Sequence, residues 1–546
     1  MCDATERIAF RSISMPSVAA AVPALHRPRG WRRGESMAYV DLGGLPVADP
    51  PSPTSTFEPQ PRLGNALLPR ILYATPEMAD FVKTGGLGEV AGALPRSLRR
   101  HYDVRVLIPG YAQVLAGLDN LTMIARFGSF ASVPGCELGF GTTPDGLGVY
   151  VLVAPDLYER DGTPYGDERG DFGDNDLRFA RLSRAAAELA GGIDPFWSAD
   201  LLHLNDWQTA LAPAYLSWLG IRRPSVLTIH NLAYQGLFHR DNLGRVGVPD
   251  HAFQMDGVEF YGQLSFLKAG IYHASHVTTV SETYAREITT PEGGCGLDGL
   301  LRTRAAQGRL TGILNGIDES WDPRTDPHLA TRFEPDDWKG KRANADEVRK
   351  QFGMAVSRGP LFAIVSRLVH QKGIDLSISA AESIVAEGGQ LVVIGQGEGR
   401  FEEALRDLAG RHPENVGVHV GFRETEARRI FAGSDFLLMP SRFEPCGLAQ
   451  MYAQRFGSLP IVRRTGGLND TVEDGVTGFT FGEASPKGLT SAIRRAFETF
   501  GQKKRLNTMR RSAMSRSFGW DGAALNYCNL YARAFGNHTA RRWKAA

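Results

Sequence analysis

Residues 70–94 read RILYATPEMADFVKTGGLGEVAGAL. The apolar run RILYA has the length of a buried strand, KTGGLGEV is a glycine-rich turn, and the chain then passes into a helical pattern through Leu94 and Leu98. Strand, tight turn and helix make one βα unit, and the same texture continues downstream. DVRVLIP (103–109), LGVYVLVAP (147–155), ADLLHLND (199–206), PSVLTIHNL (224–232), HVTTVS (276–281) and RLTGILNG (309–316) are further short apolar runs. Helical stretches such as DLRFARLSRAAAELA (176–190) and TALAPAYLSWL (209–219) lie between them. Strand alternating with helix predicts an α/β fold with a doubly wound parallel sheet.

Residues 317–358 are polar and carry Pro323, Pro327 and Pro335, which reads as a connection between domains. A second series follows: GPLFAIVSRL, GQLVVIGQG, VGVHVGF, DFLLMPSRF and LPIVRRTGG, between residues 359 and 467. Two such sheets leave a cleft, and ligands of open α/β sheets sit beyond the carboxyl ends of the strands. From Arg505 to about Phe535 the chain reads as two helices, one carrying Leu525, Leu530 and Tyr531. Residues 1–68 show no period and crowd six prolines between Pro46 and Pro61, so they are expected to be a disordered extension. Met37 offers an alternative start. Arginines and serines in this stretch would suit an organellar transit peptide, but Asp3 and Glu6 weigh against one.

The chain has 546 residues, with 61 Lys and Arg against 60 Asp and Glu. A net charge of +1 argues against an electrostatically driven nucleic-acid binder. With 42 % apolar and 22 % charged residues it is an ordinary soluble composition, and no apolar stretch reaches the roughly 18 residues a spanning helix needs. Five scattered cysteines without a CxxC pair argue against a disulfide framework or a thiolate zinc site, and point to a reducing cytoplasm.

The tetrapeptide TGGL occurs twice, at Thr84–Leu87 and Thr465–Leu468, each time after a strand. It is either a tight βα turn or a place where backbone amides meet an anion at a helix start. The paired occurrence, with Lys83 before one copy and Arg463 and Arg464 before the other, favours diphosphate. SRLVHQKG sets Arg367 at a strand end and Lys372 five residues on. That is either a solvated loop or two cations that neutralise a leaving diphosphate. GQGEG (395–399) is a glycine-rich turn able to pass close to a nucleoside. Glu444, in PSRFEPCGLAQ, is either a helix cap or a ligand for sugar hydroxyls or cationic charge. His230 and Asn231, and likewise Asp206 beside Trp207, end strands where a polar side chain can be structural or can meet a ligand. Asp174 and Asp176 match a DxD metal pattern, but helix capping accounts for them better, and no metal is expected.

The ordered set KTGGLGEV, HLNDWQTALAPAYL, TIHNLAYQG, SFLKAGIYHA, VSETYAREI, LNGID, VSRLVHQKGID, SRFEPCGLAQMYA and VRRTGGLNDTV resembles the ADP-glucose-using glycogen and starch synthase family, from about Arg70 to Ala534. The resemblance implies a GT-B fold, two Rossmann-like domains facing across a cleft. Residues 69–316 would form the acceptor-side domain and 317–518 the nucleotide-sugar side, with a C-terminal helix at 519–546 crossing back. It implies that Lys83 contacts donor diphosphate or sugar, with Gly85 and Gly86 beneath it. His230 would bind the transferred glucose, Arg367 and Lys372 the diphosphate, and Glu444 the glucose. Cys446 shares that loop, Asn315 of LNGID belongs to the substrate-binding set, Asp206 borders the acceptor, and Thr465, Gly466, Gly467 and Leu468 complete the phosphate cradle.

Three departures from the family's pattern stand out. Tyr452 occupies a place where related retaining transferases carry a second Glu, which supports this branch. Glu89 replaces a frequent Asp, and Phe422 replaces a Tyr near the adenine, keeping stacking but not the hydroxyl. The implied activity is ADP-glucose-dependent, retaining elongation of α-1,4-glucan, with no cofactor beyond the donor and no nucleic-acid or membrane partner. The alternatives are another donor, such as UDP-glucose, or another acceptor, or a non-catalytic glucan-binding protein. Oligomeric state is not legible in the sequence.

Overall fold

The structure is a computed structural model that describes residues 62–63 and 66–544, with side chains described from 68 to 536. Expectations for residues 1–68 therefore fall almost wholly outside the described residues. Within that stretch Arg62–Leu63 pairs antiparallel with Ala66–Leu67.

The first sheet has nine strands: β1 (Arg70–Ala74), β2 (Asp103–Pro109), β3 (Thr122–Phe127), β4 (Cys136–Thr142), β5 (Gly148–Val153), β6 (Leu201–Asn205), β7 (Ser225–Ile229), β8 (His276–Thr279) and β9 (Leu310–Gly312). Their spatial order is β9-β8-β7-β6-β1-β2-β5-β4-β3. Between the strands lie α1 (Gly86–Leu98), α2 (Asn175–Ala190) and α3 (Glu282–Glu287), the last following β8. The second domain opens with α4 (Trp338–Gln351) and has strands β10 (Leu361–Val365), β11 (Gln390–Gly395), β12 (Val416–Val420), β13 (Phe436–Met439), β14 (Leu459–Arg463) and β15 (Phe479–Phe481), ordered β12-β11-β10-β13-β14-β15. Its helices include α5 (Ile374–Ala386), α6 (Glu424–Gly433), α7 (Ala449–Arg455) and α8 (Gly466–Thr471), and α9 (Trp520–Lys544) closes the described chain.

The second sheet is parallel and buried on both faces, which is why its strands read as unbroken apolar runs. Leu361, Ala363 and Val365 of β10 point into one core, while Phe362 and Ile364 point into the other. The order of strands reverses beside β10 and beside β1, so the connecting loops splay apart at the carboxyl ends there.

Two expectations need correction. The first sheet is mixed, since β3 and β4 extend it antiparallel beyond β5. Of β3 only Phe127 is buried, so no apolar run marks this edge strand. Residues 317–358 are also more than a connection, because Trp321, Phe333, Ala345 and Val348 are buried in the second domain's core. The α4 helix escapes a hydrophobic reading because much of its buried face is polar. Lys341 is fully enclosed and donates to the carbonyls of Ala432 at 3.0 Å and Phe456 at 2.8 Å. Burial, helped by the like charge of Arg510 and only partly offset by Asp435, holds its ammonium well below its ordinary pKa.

The α9 helix leaves the second domain and packs on the first, where Ala523, Tyr527, Leu530, Tyr531 and Ala534 join the core of the nine-stranded sheet. Tyr531 shares a 2.6 Å hydrogen bond with Nδ1 of His203, itself buried in β6. This strap should be essential to the first domain's stability. Leu530 is fully buried, so Leu530→Ala should cost about 2–5 kcal/mol, read from the midpoint of urea unfolding.

Candidate active site

Thr75 follows β1, and Glu77 just beyond it organises the first glycine-rich loop. Its buried carboxylate accepts the Thr84 amide at 2.6 Å, the Thr84 hydroxyl at 3.0 Å and the Tyr165 hydroxyl at 2.8 Å. Burial raises the Glu77 pKa, which those donors partly offset. The loop so held presents Lys83, paired with Glu89 on α1, and Gly85, whose missing side chain leaves open space. A Cβ on Gly86 would stand 3.9 Å from Leu448 of the second domain. The two domains' loops thus face each other across the cleft.

Asn205, Asp206 and His230 lie where β6 and β7 end. Asn205 Nδ2 donates to the Ala74 carbonyl at 2.9 Å, which fixes the amide so that Oδ1 faces Tyr73 at 3.1 Å and His230 Nε2 at 3.0 Å. Because Oδ1 only accepts, Nε2 of His230 carries the proton and Nδ1 keeps its lone pair. Burial lowers the His230 pKa to about 3, so the imidazole is neutral. Asp206 adopts a left-handed backbone (φ 55°), and its carboxylate accepts the His230 amide at 2.7 Å. Burial lifts its pKa to about 7 despite that bond.

From the second domain, Arg367 and Lys372 lie on the loop after β10. Gly373 ends that loop with φ 66°, and a Cβ there would stand 2.3 Å from the Pro440 carbonyl oxygen. Only glycine fits this close approach of the two loops. Lys372 Nζ meets Glu444 Oε2 at 2.6 Å, and Ser441 Oγ donates to the same oxygen at 3.0 Å. Arg367 reaches Gln371 at 3.5 Å, and Gln371 donates to the Phe443 carbonyl at 3.2 Å. Glu444 stands five residues ahead of α7, so it is not that helix's cap. Cys446 is buried, with its pKa pushed up to about 12 by burial, and Asn315 bonds to it. It is a neutral thiol. Phe422, at the turn after β12, is half exposed. Tyr452 is buried and stacks on Trp321 with ring centroids 3.8 Å apart, so an aromatic contact fills the place of the second Glu.

The second glycine-rich turn, Thr465 to Leu468, lies against groups of both domains. The amides of Gly466, Gly467 and Leu468 meet acceptors within the protein. Gly466 N–H donates to Glu287 Oε1 at 3.0 Å, Gly467 N–H to the Glu444 carbonyl at 3.1 Å, and Leu468 N–H to the Thr465 carbonyl at 3.1 Å. Arg463 is likewise spent on the Gly482 and Arg442 carbonyls, and Arg464 on Thr480. Asp174 and Asp176 are not side-chain caps. Asp174 pairs with Arg160 at 2.9 Å, and buried Asp176 accepts from Asn242 at 3.0 Å and lies 3.5 Å from Arg245.

Glu77, Asn205, Gln371, Ser441 and Glu287 were not among the residues singled out from the sequence. Each sits beside a recognised motif, and its role depends on a partner between 3 and 179 residues away.

Residues 70–303 match the starch synthase catalytic domain family and residues 346–513 the glycosyl transferases group 1 family. The chain is 60 % identical to glycogen synthase 1 of Bradyrhizobium diazoefficiens over 458 residues, covering 84 % of this chain and 99 % of that protein. The chain belongs to the glycogen synthase family. Glycogen synthase of Pseudomonas syringae pv. syringae is 56 % identical over 464 residues, 85 % of this chain and 96 % of its own length. Among solved structures, the catalytic domain of starch synthase IV from Arabidopsis thaliana, bound to ADP and acarbose, superposes with a TM-score of 0.76 at 33 % identity, covering 86 % of this chain and 99 % of its own. Sucrose-phosphate synthase from Thermosynechococcus elongatus shares the fold at a TM-score of 0.55 and 16 % identity, covering 86 % of this chain and all of its own. With its family and fold matches, the chain is a glycosyltransferase with the GT-B architecture.

The raised pKa of Asp206 has a stability consequence. Between about pH 4 and pH 7 the folded protein holds a proton there that the unfolded chain has released, so this group's contribution to stability declines as pH rises through that window. Asp206→Asn removes the titration. Urea unfolding at pH 4.5, 5.5 and 7 should show a flatter pH dependence than the parent across the same range.

Proposed function

We infer that this enzyme transfers glucose from ADP-glucose to the 4-hydroxyl of an α-1,4-glucan chain end, with retention at the anomeric carbon and release of ADP. The observation that carries this reading is the opposition of two loops across one cleft, Lys83–Gly86 from the first domain and Glu444–Leu448, backed by Lys372, from the second. It is supported by 60 % identity to a glycogen synthase and by the fold match to a starch synthase bound to ADP and acarbose.

In this reading Arg367 and Lys372 neutralise charge that builds on the ADP diphosphate as the glycosidic bond breaks, and Lys83 closes on the donor from the other side. Lys372 is paired with Glu444 at 2.6 Å, so the carboxylate orients the ammonium toward its task and turns its other oxygen to the glucose. The neutral imidazole of His230 suits sugar hydroxyls better than a phosphate anion. Cys446, protonated at neutral pH, is not a nucleophile, and it packs the loop from below. With no enzyme nucleophile assigned, ADP departs from the face on which the acceptor arrives, through a short-lived oxocarbenium-like state. The departing phosphate oxygen takes the acceptor proton. Asp206 borders the acceptor side, Asn315 and Gly85 with Gly86 line the donor loops, and Phe422 stacks at the adenine. Domain closure brings these groups together and excludes water that would hydrolyse the donor.

The transfer balances without a metal or cofactor, the two cations supplying the charge compensation, so turnover should be unchanged by a chelator. Among the described residues no helix is long and apolar enough to cross a membrane. We place the protein in the cytoplasm, in keeping with the unpaired thiols of Cys136, Cys295, Cys446 and Cys528.

ADP release from ADP-glucose should require glycogen and should exceed release of UDP from UDP-glucose. Absence of ADP release with both substrates present would overturn the reading, faster turnover of UDP-glucose would overturn the donor, and glycogen co-sedimentation without turnover would mark a binding protein. Arg367→Ala should lower kcat by about 10²- to 10³-fold.

A further inference from the structure

Resting on the transferase reading above, we propose that Glu287 is a positioning residue: its carboxylate, on the first domain, holds the Glu444 loop of the second domain in register with the cleft. Glu287 is the last residue of α3 and reaches across the domain boundary. Its Oε1 accepts the Gly466 amide and the Thr465 hydroxyl, both at 3.0 Å, and the hydroxyl lies 3.2 Å from Oε2. The carboxylate thus sits on the amide end of α8, where the helix dipole favours negative charge.

Two neighbouring contacts make this a seam rather than a single bond. At the start of α3, Thr283 donates its amide to Asp470 at 2.9 Å and its hydroxyl at 2.5 Å, and Asn469 donates to the Thr283 hydroxyl at 3.1 Å. Ser281, the α3 cap, donates its hydroxyl to the Pro445 carbonyl at 2.5 Å. The last of these lands one residue from Glu444.

The link from Glu287 to the reaction centre is equally short. Gly466 has φ +44°, and a Cβ there would stand 1.9 Å from the Glu444 carbonyl oxygen; one on Gly467 would stand 2.1 Å from that of Cys446. Gly467 N–H donates to the Glu444 carbonyl at 3.1 Å. The turn that Glu287 grips is therefore in direct backbone contact with the loop whose side chain holds Lys372 at 2.6 Å. The glycines of the second TGGL serve this close packing, and the carboxylate stands where an anionic ligand was expected. Shifting the turn shifts the Glu444 loop, and a displacement of about 1 Å at a reacting centre can cost on the order of a hundredfold in rate.

The experiment compares wild type, E287A, E287Q, T465V and E287A/T465V. For each, kcat and KM for ADP-glucose, thermal midpoint, and small-angle scattering with and without saturating ADP are measured. E287A should lose about ten- to a hundredfold in kcat, fail to compact on adding ADP, and keep a thermal midpoint within about 3 °C of wild type. E287Q, which retains the accepting oxygen, should recover most of the rate. E287A/T465V should be no worse than E287A, because the two side chains act through one contact. Wild-type kcat and compaction in E287A overturn the proposal, as does a loss in E287A that tracks a collapse of the thermal midpoint and is not rescued by Gln. A wild-type protein without turnover instead overturns the transferase reading, whatever Glu287 does.

Discussion

The site is built around one buried ion pair, Lys372 with Glu444. Glu444 is buried and Lys372 partly so, at 6 % and 16 % exposure, and leaving either charge there alone would carry a desolvation cost. Meeting at 2.6 Å, they bind two loops from different strand ends into one unit. The Ser441 hydroxyl satisfies a remaining lone pair of the carboxylate, and Gly373 gives the lysine loop the left-handed turn that lets it pass under Pro440. Remove either charge and the other is stranded, so the pair sets the shape of the donor side of the cleft.

On the opposite wall burial acts in the other direction, suppressing charge rather than pairing it. His230 is neutral and Asp206 holds its proton up to about pH 7, each because it is enclosed. A charged imidazole or a free carboxylate would draw in water. A wall of neutral, oriented hydrogen-bonding groups meets hydroxyls instead. The first-domain wall thus combines these neutral groups with the Lys83–Glu89 pair, and the second-domain wall carries Arg367 beside the Lys372–Glu444 pair.

The seam between α3 and α8 links these walls mechanically. Its directional contacts come from the Glu287 and Asp470 carboxylates and the Ser281, Thr283 and Thr465 hydroxyls, beside Val280 buried against the second domain's core. These contacts are mainly polar, whereas the strap of α9 on the first domain is mainly apolar. The two inter-domain connections thus divide the work, one as a permanent tether and the other as a register.

Much of this was legible in the amino-acid order. Parallel strands buried on both faces read as apolar runs, so β1, β2, β10, β11 and β13 were visible, and the ordered motifs singled out Lys83, His230, Arg367, Lys372 and Glu444 as candidates. Less legible were β3, which buries a single Phe127, and α4, whose enclosed face carries Lys341 and Asn344 in place of leucines. The amino-acid sequence by itself determined the fold class, the family and the loops that face the cleft, because apolar periodicity and local glycine chemistry are encoded within a few residues. Only the tertiary structure decided that Glu287 grips the second TGGL, that Asn205 sets the proton on His230 and that Cys446 is a neutral thiol. Partner choice and burial arise between segments far apart in the chain, 179 residues for Glu287 and Gly466, and no local pattern records them.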